Sequence, residues 1–172
     1  VTELMKTFIK TPRLLLKRLQ PEDAEAMHQY ASQREVTQYL TWPRHKTMED
    51  THNAISFVCG LIESGNTDGF AIHLPEEGMI GTIGVKIKKP GVGEIGYVIG
   101  KSHWGNGYVT EAGEALLSYI WDAYPKLKTV EARCFAGHDA SAGVMKRLGM
   151  KFRGFLPDET FINLHPSNKY HV

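Results

Sequence analysis

The sequence predicts an α/β fold: a mixed central sheet with helices on its faces, in the order β-α-α-β-β-β-α-β-α-β. Two apolar stripes at helical spacing point to it, one through Thr51, Ala54, Ile55, Val58, Leu61 and Ile62, the other through Val109, Ala112, Leu116, Leu117, Ile120, Trp121 and Tyr124. Between the stripes lie three apolar runs divided by turns rich in proline and glycine, which read as successive strands.

The first strand is expected over Leu14 to Leu19, opened by Thr11-Pro12-Arg13. Pro21 suits the first turn of a helix whose apolar face is Met27, Tyr30 and Ala31. Ser32 to Lys46 reads as irregular, because Trp42-Pro43 breaks any helix. Thr47 with Asp50 has the pattern of a capping box, and Gly65 ends the helix that follows. Phe70, Ile72 and Leu74 alternate along the next strand. A turn at Pro75-Glu76-Glu77-Gly78 leads to Met79 to Lys88, and Lys89-Pro90-Gly91 leads to Glu94 to Ile99. After the second long helix, Val130, Ala132 and Cys134 alternate on one strand. Asp139 to Leu148 is a shorter helix stopped by Gly149, with Lys146 and Arg147 in its last turn. Lys151 to Phe155 returns as a strand, and Asp158 to Val172 is short for a further complete one.

The 172 residues, with no repeat and no Gly-, Ser- or Pro-rich linker, suit one domain over 1–172. Twenty basic against nineteen acidic residues give a net charge of +1, so nothing favours a general nucleic-acid or membrane-surface partner. No apolar stretch approaches membrane-spanning length, and Val1 to Lys10 lacks the apolar core of a signal peptide. Cys59 and Cys134 sit in apolar runs and read as two buried thiols of a reduced, cytoplasmic protein. The eight histidines (His28, His45, His52, His73, His103, His138, His165 and His171) are too scattered for metal-ligand spacing, and no metal is expected.

The segment from Tyr97 to Ala112 is a strand, a glycine-containing turn and a helix start. Such a turn leaves backbone N–H groups unpaired at the positive end of a helix dipole, an anion site that a pyrophosphate fits. Gly105 and Gly107 let the backbone approach phosphate oxygens that a Cβ would obstruct. The alternative is a helix start whose glycines serve only the turn. No Gly-Lys-Ser/Thr follows, and the third glycine of a dinucleotide fingerprint is missing.

Glu94-Ile95-Gly96-Tyr97, followed by Trp104-Gly105-x-Gly107-Tyr108-x-Thr110-Glu111-Ala112, resembles the GNAT superfamily of N-acetyltransferases, in particular the branch that acetylates the N-termini of ribosomal proteins. The likeness runs from Thr11-Pro12-Arg13-Leu14 to Lys146-Arg147-Leu148-Gly149-Met150. It implies a mostly antiparallel sheet, acetyl-CoA as co-substrate, and a primary amine as acceptor, foremost the α-amine of a protein or peptide. A small-molecule amine, or a CoA-binding sensor without turnover, are the alternatives. By this resemblance the CoA pyrophosphate rests on the backbone of His103, Trp104, Gly105, Asn106, Gly107, Tyr108, Val109 and Thr110. Pantetheine lies where the strand of Glu94 to Ile99 diverges from that of Val130 to Cys134, and the thioester oxygen meets a backbone N–H near Val98 or Ile99, where the family's strand bulges. Ser102 stands where the family often has Gln or Arg, His138 where a CoA-contacting Asn is typical, and Met145 where many members have a proton-donating Tyr. Ser141 matches a serine common in this branch and could approach the sulfur.

Acyl transfer to an amine requires loss of an ammonium proton, stabilisation of the thioester oxygen and departure of CoA as thiol or thiolate. Glu94 is the candidate base, through a water, or else an exposed strand-end carboxylate. Glu111 reads as a first-turn helix carboxylate. Tyr39, Trp42, Arg44 and His45, with Glu94, border the acceptor groove by resemblance; a solvated loop pinned by one tryptophan is the alternative. Tyr119, Trp121 and Tyr124 are core or dimer surface, and with the C-terminal segment they suggest a homodimer.

Overall fold

The computed structural model describes residues 8–135, 137–156 and 170–171. Six strands form the main sheet in sequence order: β1 (Phe8–Lys10), β2 (Leu15–Arg18), β3 (Thr67–Leu74), β4 (Gly78–Lys89), β5 (Val92–Ile99) and β6 (Thr129–Ala132). Every neighbouring pair is antiparallel except β5 and β6, which run parallel and are joined by the crossover helix α4 (Tyr108–Ala123). Helices α1 (Ala24–Ala31), the single turn α2 (Arg34–Thr37) and α3 (Met48–Glu63) lie between β2 and β3 in the chain. A second sheet joins β7 (Cys134–Phe135), β9 (Tyr170–His171) and β8 (Phe155–Leu156), with α5 (Asp139–Arg147) between β7 and β8 in the chain.

The alternation of β3 shows why both faces are covered. Phe70 and Ile72 join Leu16, Ile83, Ile95, Leu116 and Ile120 in the larger core, against α4. Ala71 points the other way, into the core made with Met27, Tyr30, Ile55 and Ile62 of α1 and α3. Thr47 and Asp50 form the expected capping box, each side chain accepting from the other's backbone N–H. Gly149 takes φ 84°, the left-handed stop expected after α5.

Several expectations need correction. Phe8–Lys10 is a strand paired with β2, its short turn closed by Thr11 N donating to Leu14 O. The stretch between α1 and α3 contains α2. The expected strand through Val130 and Cys134 is two strands broken at Arg133, because β6 pairs with β5 and β7 with β9. The chain from Lys151 becomes a strand only at Phe155, after Gly154 at φ 138°. The last two described residues form β9, between β7 and β8; 157–169 and Val172 lie outside the described residues. Cys59 and Cys134 are free thiols, Cys134 buried and Cys59 half-buried. Trp121 faces outward, 44% exposed, whereas Tyr119 is buried with its hydroxyl donating to Asp68, so Tyr119 offers no dimer surface. No described helix is long and apolar enough to cross a membrane.

Candidate active site

The β5–β6 ladder ends at Ile95 opposite Ala132. Beyond it β7 leaves for the second sheet, so Gly96 to Ile99 pair with β4 alone among the described strands. The divergence implied by the family resemblance is therefore present. The bulge expected at Val98–Ile99 is not: the β4–β5 register runs unbroken from Gly81–Ile99 to Ile87–Gly93 and shifts only between Ile87 and Lys89. The local device is Gly81, where a Cβ would lie 2.2 Å from the Val98 carbonyl oxygen and 2.9 Å from the Ile99 Cα. Ile99 O accepts from the Trp104 indole at 3.0 Å, which ties the turn to the end of the strand.

The turn after β5 enters α4 through two left-handed glycines, Gly105 at φ 78° and Gly107 at φ 77°. Gly107 is the N-cap and supplies no side chain, so no side chain caps the first N–H groups of α4. These bare donors at a helix N-terminus fit a pyrophosphate. The side chains around them are structural. Asn106 Nδ2 donates to the His103 and Trp104 carbonyls, His103 pairs with Glu77 at 2.6 Å and contacts the Ser102 hydroxyl, and Val109 is buried. His103, Trp104, Asn106 and Val109 can therefore serve an anion through their backbone. Two cations flank the site that sequence reasoning did not assign to it. Arg13 donates to Asn106 O at 2.9 Å, pairs with Glu111 at 2.7 Å and lies over the Tyr108 ring. Arg147 Nε donates to Thr110 Oγ1 at 3.2 Å. Glu111 also accepts from the Thr11 hydroxyl and the Arg13 backbone, an anchoring role in keeping with its reading as a helix carboxylate.

Ser141 is buried on α5, and its hydroxyl lies 3.0 Å from the Tyr97 hydroxyl, which is also 3.0 Å from the Ser141 carbonyl oxygen. One phenolic proton and one seryl proton serve both contacts if Tyr97 donates to the carbonyl and Ser141 donates to Tyr97. Burial pushes the Tyr97 phenol up to about 12, so it stays protonated at neutral pH. Met145 belongs to the main core and does not line the cleft that Tyr97 and Ser141 share. Tyr97 stood in the motif that carried the resemblance; its partner, 44 positions away, is found only once α5 is placed.

That cleft, about 570 Å³, crosses the sheet on the face of α3. Tyr39, Trp42 and His45 line it; Arg44 is exposed and does not. Tyr39 stacks on His138 with ring centroids 4.7 Å apart, joining the loop before α3 to the N-cap of α5 across the cleft. Burial holds His138 and His45 below the ordinary histidine pKa, so both are neutral at pH 7. The two ring nitrogens of His28 and His45 meet the fully buried Thr51 hydroxyl at 2.8 and 2.9 Å, which pins the loop to α1 and α3. Glu94 lines the cleft's polar end, paired with Lys88 at 3.1 Å and with Arg133. Its burial opposes ionisation, but the hydrogen bonds and charges of Arg133 and Lys88 outweigh that and hold its pKa below the usual carboxylate value. It is a weaker base than a free glutamate. No sequence pattern marked Arg133 as its partner, because the pairing depends on the parallel register. Among the described residues no group of three or more His, Cys, Asp or Glu could hold a metal ion.

The model of the acetyltransferase (GNAT) domain matches residues 13–151. An uncharacterised N-acetyltransferase, p20, of Bacillus licheniformis is 30% identical over 151 residues, covering 86% of this chain and 84% of that protein. The ribosomal-protein-serine acetyltransferase of Escherichia coli (strain K12) is 29% identical over 131 residues, 74% of this chain and 72% of its own. Among solved structures, a GNAT-family acetyltransferase from Bacillus anthracis superposes with a TM-score of 0.79 at 28% identity, over 95% of this chain and 96% of that one. RimL, a ribosomal L7/L12 alpha-N-protein acetyltransferase solved with coenzyme A, gives 0.78 at 21% identity over 87% and 86%. The matched model spans the bare α4 N-terminus, the β5–β6 divergence and the cleft alike, and the chain belongs to the GNAT family of N-acetyltransferases.

Proposed function

We propose that the protein transfers the acetyl group of acetyl-CoA to the α-amine of a protein or peptide N-terminus. The observation that carries the reading is the gap beside β5. Beyond Ile95 the strand has lost β6; the uncapped start of α4 follows the end of this freed half of β5, and the cleft lined by Tyr97, Val98 and Ser141 lies beside it. A donor and an acceptor can thus meet near Val98. The kinship with a ribosomal-protein-serine acetyltransferase supports a peptide acceptor over a small amine.

The chemistry asks three things of the chain. The backbone around Val98 and Ile99, with no described strand on one side, is where an N–H would meet the thioester oxygen. As the amine nitrogen bonds to the acetyl carbon and the C–S bond breaks, the sulfur takes a proton from the Tyr97–Ser141 pair. The nitrogen gives up its own proton to solvent on the way to Glu94. Glu94 lies four residue steps from Val98 along the strand, roughly 13 Å, so this transfer runs through water. Because Glu94 is a weakened base, much of the rate comes from holding a neutral amine in line with the thioester. The cations Lys86, Lys88 and Arg133 near the groove favour that neutral form.

The test is CoA release and product mass with purified protein, acetyl-CoA, a panel of short peptides with free N-termini and a panel of small primary amines. The expected result is mass gain at the peptide α-amine with kcat/KM well above that of any small amine. Turnover confined to small amines would replace the peptide reading, and no turnover with either panel would favour a binding role.

A further inference from the structure

The cleft floor has an unusual composition. Gly69, Gly84 and Gly96 occupy one register row across β3, β4 and β5, so three neighbouring strands present no side chain at one level of the sheet. Gly69 is covered by Val58 and Ile62 of α3, while a Cβ on Gly96 would meet nothing within 4 Å. Both Gly84 and Gly96 line the cleft with Trp42 and the 68% exposed Phe57, but at Gly84 a Cβ would lie 2.6 Å from the Asp68 carbonyl oxygen, so the open position of the row is Gly96. The row is therefore a trough, deepest where β5 borders the thioester side.

Next along the sheet on the same face are Lys86 and Glu94, opposite one another in the register. The accessible charges of the cleft gather there. Glu94 is already engaged by Arg133 and Lys88, and Asp68, which also borders the cleft, has a side chain with no exposure, turned to Arg18 and Tyr119. Lys86 is exposed and makes no ion pair with a described residue. Among the described residues Glu131 stands beside Glu94 in the β5–β6 register, so Lys88 and Arg133 face two carboxylates, and the charge left at the end of the trough away from Val98 is that of Lys86. The neutral His45 and His138 add nothing to it.

Resting on the peptide reading above, we propose that the acceptor lies across Gly96 and carries an acidic group that Lys86 receives: a peptide with Asp or Glu at its second or third residue. Val98 and Glu94 are about 13 Å apart along β5. Less the length of a lysine stem, the remaining span suits two or three extended residues between the amine and the acid. Gly96 sets the clearance and Lys86 the charge preference.

The experiment compares Ser-Asp-Asp-Ala, Ser-Asn-Asn-Ala and Ser-Lys-Lys-Ala amides, with 6-aminohexanoate and hexylamine as a small-molecule pair of matched length. Wild type is expected to favour the acidic peptide over the basic one by about tenfold or more in kcat/KM, with the preference shrinking as salt rises. Lys86→Glu is expected to reverse that order. Gly96→Val suits a strand with open space at that position, and is expected to retain acetyl-CoA affinity by calorimetry while losing peptide turnover. Equal turnover of the three peptides overturns the charge assignment and leaves N-terminal acetylation standing. If no peptide reacts but 6-aminohexanoate outruns hexylamine in a Lys86-dependent way, the peptide reading fails and the anionic acceptor holds. Undiminished turnover by Gly96→Val overturns the path across the glycine row.

Discussion

Tyr97 and Ser141 form one proton-holding unit, so their variants should not behave independently. Tyr97→Phe is expected to lower kcat by on the order of 10²-fold, the low end for a general acid because a thiolate leaves readily. Adding Ser141→Ala should cost little more, since the second change removes a partner already idle. Stopped assays of CoA release for the single and double variants decide it, and multiplicative losses would separate the two hydroxyls. With Tyr97 up near 12, the phenol should place no alkaline limb on the wild-type kcat profile at moderately basic pH. Glu94, held below the usual carboxylate range, stays ionised throughout neutral pH. Glu94→Gln should therefore cost most where the amine is protonated and progressively less as pH rises. The sequence exposed the empty role at Met145, because Met cannot donate a proton. It named Ser141 as a group that could approach the sulfur but did not place Tyr97 beside it, because which face of β5 meets α5 is decided by the α4 crossover.

At the scale of elements, the turn between β5 and α4 was the most legible part of the chain. Glycine spacing and the change from alternating to helical periodicity are local signals, and the positive φ of Gly105 and Gly107 is their physical content. Gly107→Val forces a β-branched residue into that left-handed site and places its Cβ 3.5 Å from an Arg13 terminal nitrogen. Calorimetry is expected to show acetyl-CoA affinity falling more than tenfold, roughly 1.4 kcal/mol or more, in a variant that still folds. The split of β6 from β7 was illegible for a complementary reason. Val130, Ala132 and Cys134 alternate without interruption, and the break at Arg133 arises only because the two halves have different neighbours. The single turn of α2 and the three-residue β1 are too short to leave a periodic signal.

For the whole molecule, the carboxylates give the acid response a definite sign. Burial of Glu111 works against ionisation, but Thr11 and Arg13 outweigh it and depress its pKa; Arg133 and Lys88 do the same for Glu94. A carboxylate with a depressed folded pKa contributes stability that is present above its unfolded value and lost as pH falls through the folded one. Asp68 opposes them: burial raises its pKa, so its ionised form is the disfavoured one. Thermal melts from pH 7 downward should show Tm falling below about pH 4.5, near the unfolded glutamate value. Glu111→Gln should lower Tm at pH 7 and flatten the acid slope, because the anchor between the β1–β2 turn and α4 is then already neutral. An unchanged slope would leave the acid response to other carboxylates. Fold class and helix faces were read from periodicity. The layering of Asp68, Arg18 and Tyr119 was not, since each comes from a different element and none is distinctive alone.

Among the described strands, the half of β5 that has lost its β6 neighbour is a sheet edge, and edges of that kind accept strands indiscriminately. Most sheets blunt their edges with charge, proline or a covering helix, whereas Gly96, Val98 and Ile99 supply none of these. The opening proposed above for the co-substrate is therefore also a place where a strand from a neighbouring chain could add. If acetyl-CoA fills that opening, its addition is expected to suppress aggregation on heating, read by light scattering with and without the nucleotide.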